Sequence, residues 1–121
     1  MGTMENNYLC FVKLRLESDS QGERHAFGPG TADLLRGVER LGSLNKAAKE
    51  MEMAYSKAWR LIRATEADLG FDLIERKARD GSEITEECKA LLVVFDEMTA
   101  AAQAAAQKVL SESIFGKTKQ S

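Results

Sequence analysis

The chain has 121 residues, 44% of them hydrophobic and 30% charged, with one proline and nine glycines; this fits one ordinary globular domain and excludes a multidomain machine, a disordered chain and a collagen-like one. Seventeen basic against nineteen acidic residues give a net charge of −2, so a nucleic-acid partner has to be held by a local basic surface rather than by bulk charge. Cys10 and Cys88 lie far apart and His25 is the sole histidine, which excludes a zinc cluster or a disulfide scaffold and points to reduced thiols.

From Tyr8 to Glu17 the chain reads YLCFVKLRLE, with Val12, Leu14 and Leu16 alternating with Lys13, Arg15 and Glu17, the period-2 pattern of a half-buried strand. Ser18 to Glu23 carries turn chemistry, and Arg24 to Phe27 is a second short run that can pair back as a hairpin. Gly28, Pro29 and Gly30 break the pattern before Thr31, a good N-cap for a first helix over Ala32 to Leu41, where Leu34, Leu35, Val38 and Leu41 recur at helical spacing and Gly42 supplies the stop. Ser43 offers the next N-cap. Leu44, Ala47, Ala48 and Met51 share one face of a shorter second helix, rich in alanine where helices cross closely. After a tight turn anchored by Met53, a third helix from about Tyr55 to Leu69 turns Ala58, Ile62, Thr65 and Leu69 inward and ends at Gly70.

Phe71 to Glu75 reads as a strand, Arg76 to Gly81 as a polar turn and Ser82 to Ile84 as its return, with Asp80-Gly81 as a short-range hairpin signal. Thr85 can cap a long last helix that opens with Glu86 and Glu87, the charge its dipole favours. Along that helix Cys88, Leu91, Phe95, Met98, Ala102, Ala105 and Val109 are spaced by alternating steps of three and four, an a/d seam over about three heptads. Such a helix is about 37 Å long and would overhang a domain of ~85 residues, which favours pairing with a second copy.

Helix, helix, tight turn, helix and basic hairpin is the order of a winged helix-turn-helix, in which the second helix of the pair enters the major groove. The expected fold is mainly α with small β hairpins: an N-terminal β-hairpin extension over 1–30, the winged helix-turn-helix over 31–85, a dimerisation helix over 86–113 and a tail over 114–121. From Ala54 to Thr65 the chain carries Lys57, Arg60 and Arg63 and no acid, a local +3, and the wing adds Arg76, Lys77 and Arg79. From Ile84 to Phe115, five acids against two lysines leave −3. The charge is segregated along the chain, and two basic clusters that one architecture turns toward the same duplex favour DNA over a merely solvated face.

Arg60 suits a bidentate contact with guanine, and Lys57 either a base or a phosphate. Tyr55 and Ser56 stand at a helix start, where capping, a phosphate contact and a base contact are all open to them. Ser43 and the amides after it can hold a phosphate as well as cap the helix. Trp59 is expected to pack its ring and orient the reading face rather than stack on a base. No nucleophile–base set and no phosphate-cradling glycine motif is present, and Glu86-Glu87 and Asp96-Glu97 suit solvated surface, so neither an enzyme nor a cofactor is expected. No apolar run reaches the ~20 residues of a membrane span and Met1 to Asn7 lacks a secretory pattern, so the chain is expected in the cytoplasm, without a membrane partner.

Gly42 to Trp59, GSLNKAAKEMEMAYSKAW, with its GS(I/L)xxAA opening and its AYSKAW, together with LIER before the wing, resembles the N-terminal DNA-binding domain of the ModE molybdenum-responsive regulators, whose fold is akin to LysR-type winged helices. The likeness runs over roughly Leu9 to Val109. It implies a sequence-specific transcriptional regulator, homodimeric through its last helix and bound to a near-palindromic duplex, with the reading roles on Tyr55, Ser56, Lys57 and Arg60 and the wing over Arg76 to Gly81. The wing RKARDG is shorter and more charged than the family's glycine-rich loop. Because the chain stops at Ser121, no oxyanion-sensing domain is expected within it. The alternative, from another class, is a protein–protein adaptor of the same shape.

Overall fold

A computed structural model of the chain describes residues 8–17, 27–79 and 81–116. The expected turn over Ser18 to Glu23, most of the run Arg24 to Phe27, His25 and Asp80 lie outside the described residues. The elements are α1 (Pro29–Leu41), α2 (Leu44–Glu50), α3 (Tyr55–Leu69), β1 (Ile74–Lys77), β2 (Gly81–Ile84) and α4 (Glu86–Ser111). Among the described residues the architecture is thus four helices and one antiparallel two-stranded hairpin.

The described residues fall into two compact units, one within 14–94 and the other formed by 8–13 with 95–116. In the first, Leu34, Leu35, Leu44, Ala58, Ile62 and Leu73 are fully buried and make the core. Helix α1 begins three residues earlier than the sequence pattern suggests. Pro29 takes the first helical position, where its missing N–H costs nothing, and Gly28 is the N-cap with no side-chain bond. Thr31 is therefore not the cap but a buried residue of the first turn. At the other end Gly42 is left-handed at φ 74°, and its N–H donates to the Val38 carbonyl.

Alpha helices α1 and α2 approach closely at Gly37, where an added Cβ would stand 2.9 Å from the Ala47 Cβ. Ser43 caps α2 as expected, its Oγ accepting from the Lys46 amide at 3.1 Å. In the α2–α3 turn Glu52 adopts φ 57°, and the Met53 amide reaches back to the Ala48 carbonyl at 2.8 Å. Helix α3 turns Ala58, Ile62 and Thr65 inward as expected, and ends at Gly70 with φ 90°.

The hairpin pairs Ile74 with Ile84 and Lys77 with Gly81. Its first strand starts three residues later than the pattern suggests, so Arg76 and Lys77 belong to β1 rather than to the turn; Arg79, at φ 62°, takes the left-handed position of the loop. The hairpin is tied to the end of α1 by the Ser82 amide, which donates to the Gly42 carbonyl at 2.9 Å. Thr85 caps α4 through its Oγ1, which accepts from the Cys88 amide at 3.0 Å and donates to the Asp72 carbonyl at 2.7 Å.

Of the expected N-terminal hairpin, the described residues show a bridge between Leu16 and Phe27, each amide donating to the other's carbonyl at 2.8 Å. The alternation survives without a ladder: Val12, Leu14 and Leu16 are half-buried while Lys13, Arg15 and Glu17 are exposed. In the second unit the segment before it is held by side chains of α4 instead of by a strand. The Cys10 and Val12 amides donate to the side-chain oxygens of Gln107 and Gln103 at 2.9 and 2.8 Å, and the Gln103 amide donates in turn to the Cys10 carbonyl.

Gly37→Ala should lower the urea midpoint despite its better helix propensity, because overpacking a tight crossing costs about 1–3 kcal/mol against a propensity gain of about 1. Gly30→Ala, with open space around it, should be neutral or stabilising. Burial, reinforced by the carboxylates of Glu39 and Glu66, pushes the Cys88 thiol up to about 12. A thiol reagent at pH 8 should therefore modify Cys10 but reach Cys88 only in denaturant.

Candidate nucleic-acid interface

Helix α3 buries one face and leaves Tyr55, Ser56, Lys57, Arg60 and Arg63 exposed on the other. Its N-cap is Ala54, with no side-chain capping bond, and Tyr55 and Ser56 begin the helix rather than cap it. Among the described residues Lys57, Arg60 and Arg79 form no ion pair, so their charge is uncompensated at short range. The other basic residues singled out in the sequence are engaged within the protein.

Arg63 donates to Glu66 Oε1 at 2.6 Å. Its guanidinium also lies over the Trp59 ring, 4.4 Å from the centroid, and that of Arg76, from β1, lies over the same ring at 4.6 Å. Such contacts contribute about 0.5–1 kcal/mol at partly exposed rings. Tyr55 meets Trp59 edge to face, with centroids 6.3 Å apart. Trp59 thus packs on the helix and wing, and its Nε1 is buried without a hydrogen-bond partner among the described residues.

Lys77 answers a local problem in the hairpin. Glu75 and Glu83 are direct cross-strand partners, and like charges placed opposite each other destabilise a sheet. The Lys77 ammonium lies 3.1 Å from Glu83 and 3.8 Å from Glu75, and the bond to Glu83 holds its pKa above the ordinary lysine value. Ser43 is buried, with its oxygen bonded to the Lys46 amide, so its role in the fold is capping.

Glu66 escapes the sequence analysis. It is buried, and while Oε1 takes Arg63, Oε2 accepts from the amides of Leu73 and Ile74 at 2.7 and 3.2 Å. Burying a carboxylate is tolerable only when its lone pairs are met, and here they are met by a guanidinium and the first amides of the wing. The available signal was the i, i+3 spacing of Arg63 and Glu66, with Glu66 next to the inward-facing Thr65.

The candidate pairing surface lies on α4. Leu91 is half-buried and Phe95 buried; Met98 is 41% and Val109 71% exposed, with Ala102 half-buried and Ala105 exposed. No helix among the described residues is long and apolar enough to cross a membrane.

Residues 32–89 match the profile of bacterial regulatory helix-turn-helix proteins of the LysR family. The chain is similar to the crystallised DNA-binding domain of CbnR in its DNA complex, with a TM-score of 0.54 and 26% identity over 66% of this chain and 91% of that one. It is equally similar to full-length CbnR bound to its target DNA, with a TM-score of 0.54 and 26% identity over 68% of this chain and 28% of that one. CbnR itself, a LysR family transcriptional regulator, matches at a TM-score of 0.53, again at 26% identity over 68% of this chain and 28% of that one. This chain therefore spans little more than a quarter of the full-length regulator. No curated protein matches it. The fold is that of the winged helix-turn-helix DNA-binding domain of LysR regulators.

Glu66→Ala should destabilise the protein by about 2–4 kcal/mol in urea unfolding, since each buried amide left without its acceptor costs about 1–3 kcal/mol. Glu66→Gln, which keeps an acceptor oxygen, should lose less.

Proposed function

We propose that the protein is a sequence-specific transcriptional regulator that binds duplex DNA as a homodimer in the cytoplasm and performs no catalysis. The observation that carries this reading is the exposed row of α3, where Lys57 and Arg60 form no ion pair among the described residues while Tyr55 and Ser56 flank an uncapped helix start. With α3 in the major groove, Arg60 has the fork to bind guanine bidentately, and Lys57 reaches a base edge or a phosphate. Arg79 at the wing tip is suited to the minor groove or to phosphate.

Of the α4 seam, Met98, Ala105 and Val109 with the half-buried Leu91 and Ala102 support pairing through the helix over 86–113, whereas Phe95 is buried within the chain; a two-fold dimer reads two half-sites of a near-palindrome. The resemblance of Gly42 to Trp59 to the ModE domain narrows the reading toward regulators of that kind. In this organisation 31–85 is the reading head, 1–30 its N-terminal extension and 114–121 a tail.

Titrating labelled genomic duplexes with the protein at increasing KCl tests the reading. Log affinity should fall linearly with log salt, by about 0.9 per phosphate engaged. Arg60→Ala should cost about 1–3 kcal/mol on preferred sites and relax selectivity there. Lys57→Glu combined with Arg60→Glu should abolish binding in a folded protein. Affinity that does not respond to salt or to this charge reversal would overturn the reading, and a protein–protein adaptor would retain its partner under both.

A further inference from the structure

We propose that Trp59 is a positioning residue that locks the wing to the reading helix, and that Arg63 and Arg76 serve this brace instead of contacting phosphate. The proposal rests on the DNA-binding reading and divides its basic residues into two sets.

The brace is a closed path of side chains. Glu66 Oε2 holds the Leu73 and Ile74 amides where the wing begins, and Oε1 holds Arg63. Arg63 lies over the Trp59 ring, and Arg76 returns from β1 to the same ring. The path therefore leaves the hairpin at the start of β1 and re-enters it at Arg76, fixing the strand to α3 at two points. A guanidinium is planar and weakly hydrated, so it stacks on an indole where an ammonium would keep its water. The indole N–H has no partner among the described residues, so the ring acts here through its face rather than through its polar edge.

Engagement in the brace removes both arginines from the contact set. Arg63 is neutralised by Glu66, and moving Arg76 to a phosphate would strip the ring of its link to the hairpin. Lys57, Arg60 and Arg79, which form no ion pair among the described residues, are left to meet the duplex.

Affinity for a selected duplex is measured against KCl for Trp59→Leu, Arg76→Ala, their double variant, Trp59→Phe and, as the contact reference, Lys57→Ala. Arg76→Ala should weaken binding about fivefold, the equivalent of the one cation–π contact it loses, and Trp59→Leu, which loses two, at least as much. The double variant should be no weaker than Trp59→Leu alone, and the salt slope should stay at its wild-type value. Trp59→Phe, which keeps a ring face and leaves no buried N–H unmet, should bind within about twofold of wild type. Lys57→Ala should reduce the slope by about 0.9.

A slope reduction for Arg76→Ala equal to that of Lys57→Ala would overturn the proposal, as would single effects that multiply in the double variant or a Trp59→Phe as weak as Trp59→Leu. If Trp59→Leu does not fold, Trp59→Phe and Arg76→Ala decide by the same criteria. If the wild-type protein shows no salt-dependent DNA binding, the DNA reading fails by itself. Urea unfolding of the same variants then judges the brace, which is overturned if the effects of the Trp59 and Arg76 substitutions on stability are additive.

Discussion

One buried carboxylate sets the relation between the third helix and the wing. Glu66 lies near the end of α3, and its two oxygens are met by Arg63 and by the amides that open the hairpin. Sliding or rotating the helix against β1 would leave a buried charge and two amides unmet, a penalty added to the loss of apolar contact at the same place. What α3 shows on its outer face, Lys57 and Arg60 above all, therefore stands in a fixed position relative to the hairpin. The Ser82–Gly42 bond plays the corresponding part at the hairpin's return, joining β2 to the turn that starts α2.

Most of the frame was legible because it rests on local rules. Gly42 and Gly70 stop their helices in the left-handed conformation, Ser43 and Thr85 cap theirs, and the inward residues of α3 follow the helical period. Errors arose where a local signal competed with another or with a distant partner. Thr31 is a good cap by type, but Pro29 is better suited to the first helical position, and the helix starts there. The run from Tyr8 has strand alternation, yet its amides at 10 and 12 are taken by glutamines more than ninety residues away, a pairing that no window of sequence displays. Glu66 and the double stack on Trp59 were hidden for the same reason: in sequence, a charged residue inside a helix reads as exposed surface.

Electrostatics of the reading surface is correspondingly finer than a count of basic residues. The hairpin's three positive residues are not equivalent, because Lys77 is held between two glutamates that would otherwise face each other bare, and Arg76 lies on an indole. Much of the charge that made the wing look strongly basic thus stabilises the wing itself. The field toward a polyanion comes chiefly from α3 and the loop tip, where no carboxylate among the described residues offsets it at short range, and a net charge of −2 for the whole chain coexists with a positive surface.

The glutamines of α4 grip the segment before Lys13 by its backbone, through the amides of residues 10 and 12 and the Cys10 carbonyl. Such a grip is blind to side-chain identity. The exposed positions Leu9 and Phe11 can therefore change without altering the path of the segment, provided the glutamine pair is kept and no proline, which lacks the donor, enters at position 10 or 12. The path of this end is thus written in the helix that holds the segment more than in the segment's own exposed side chains.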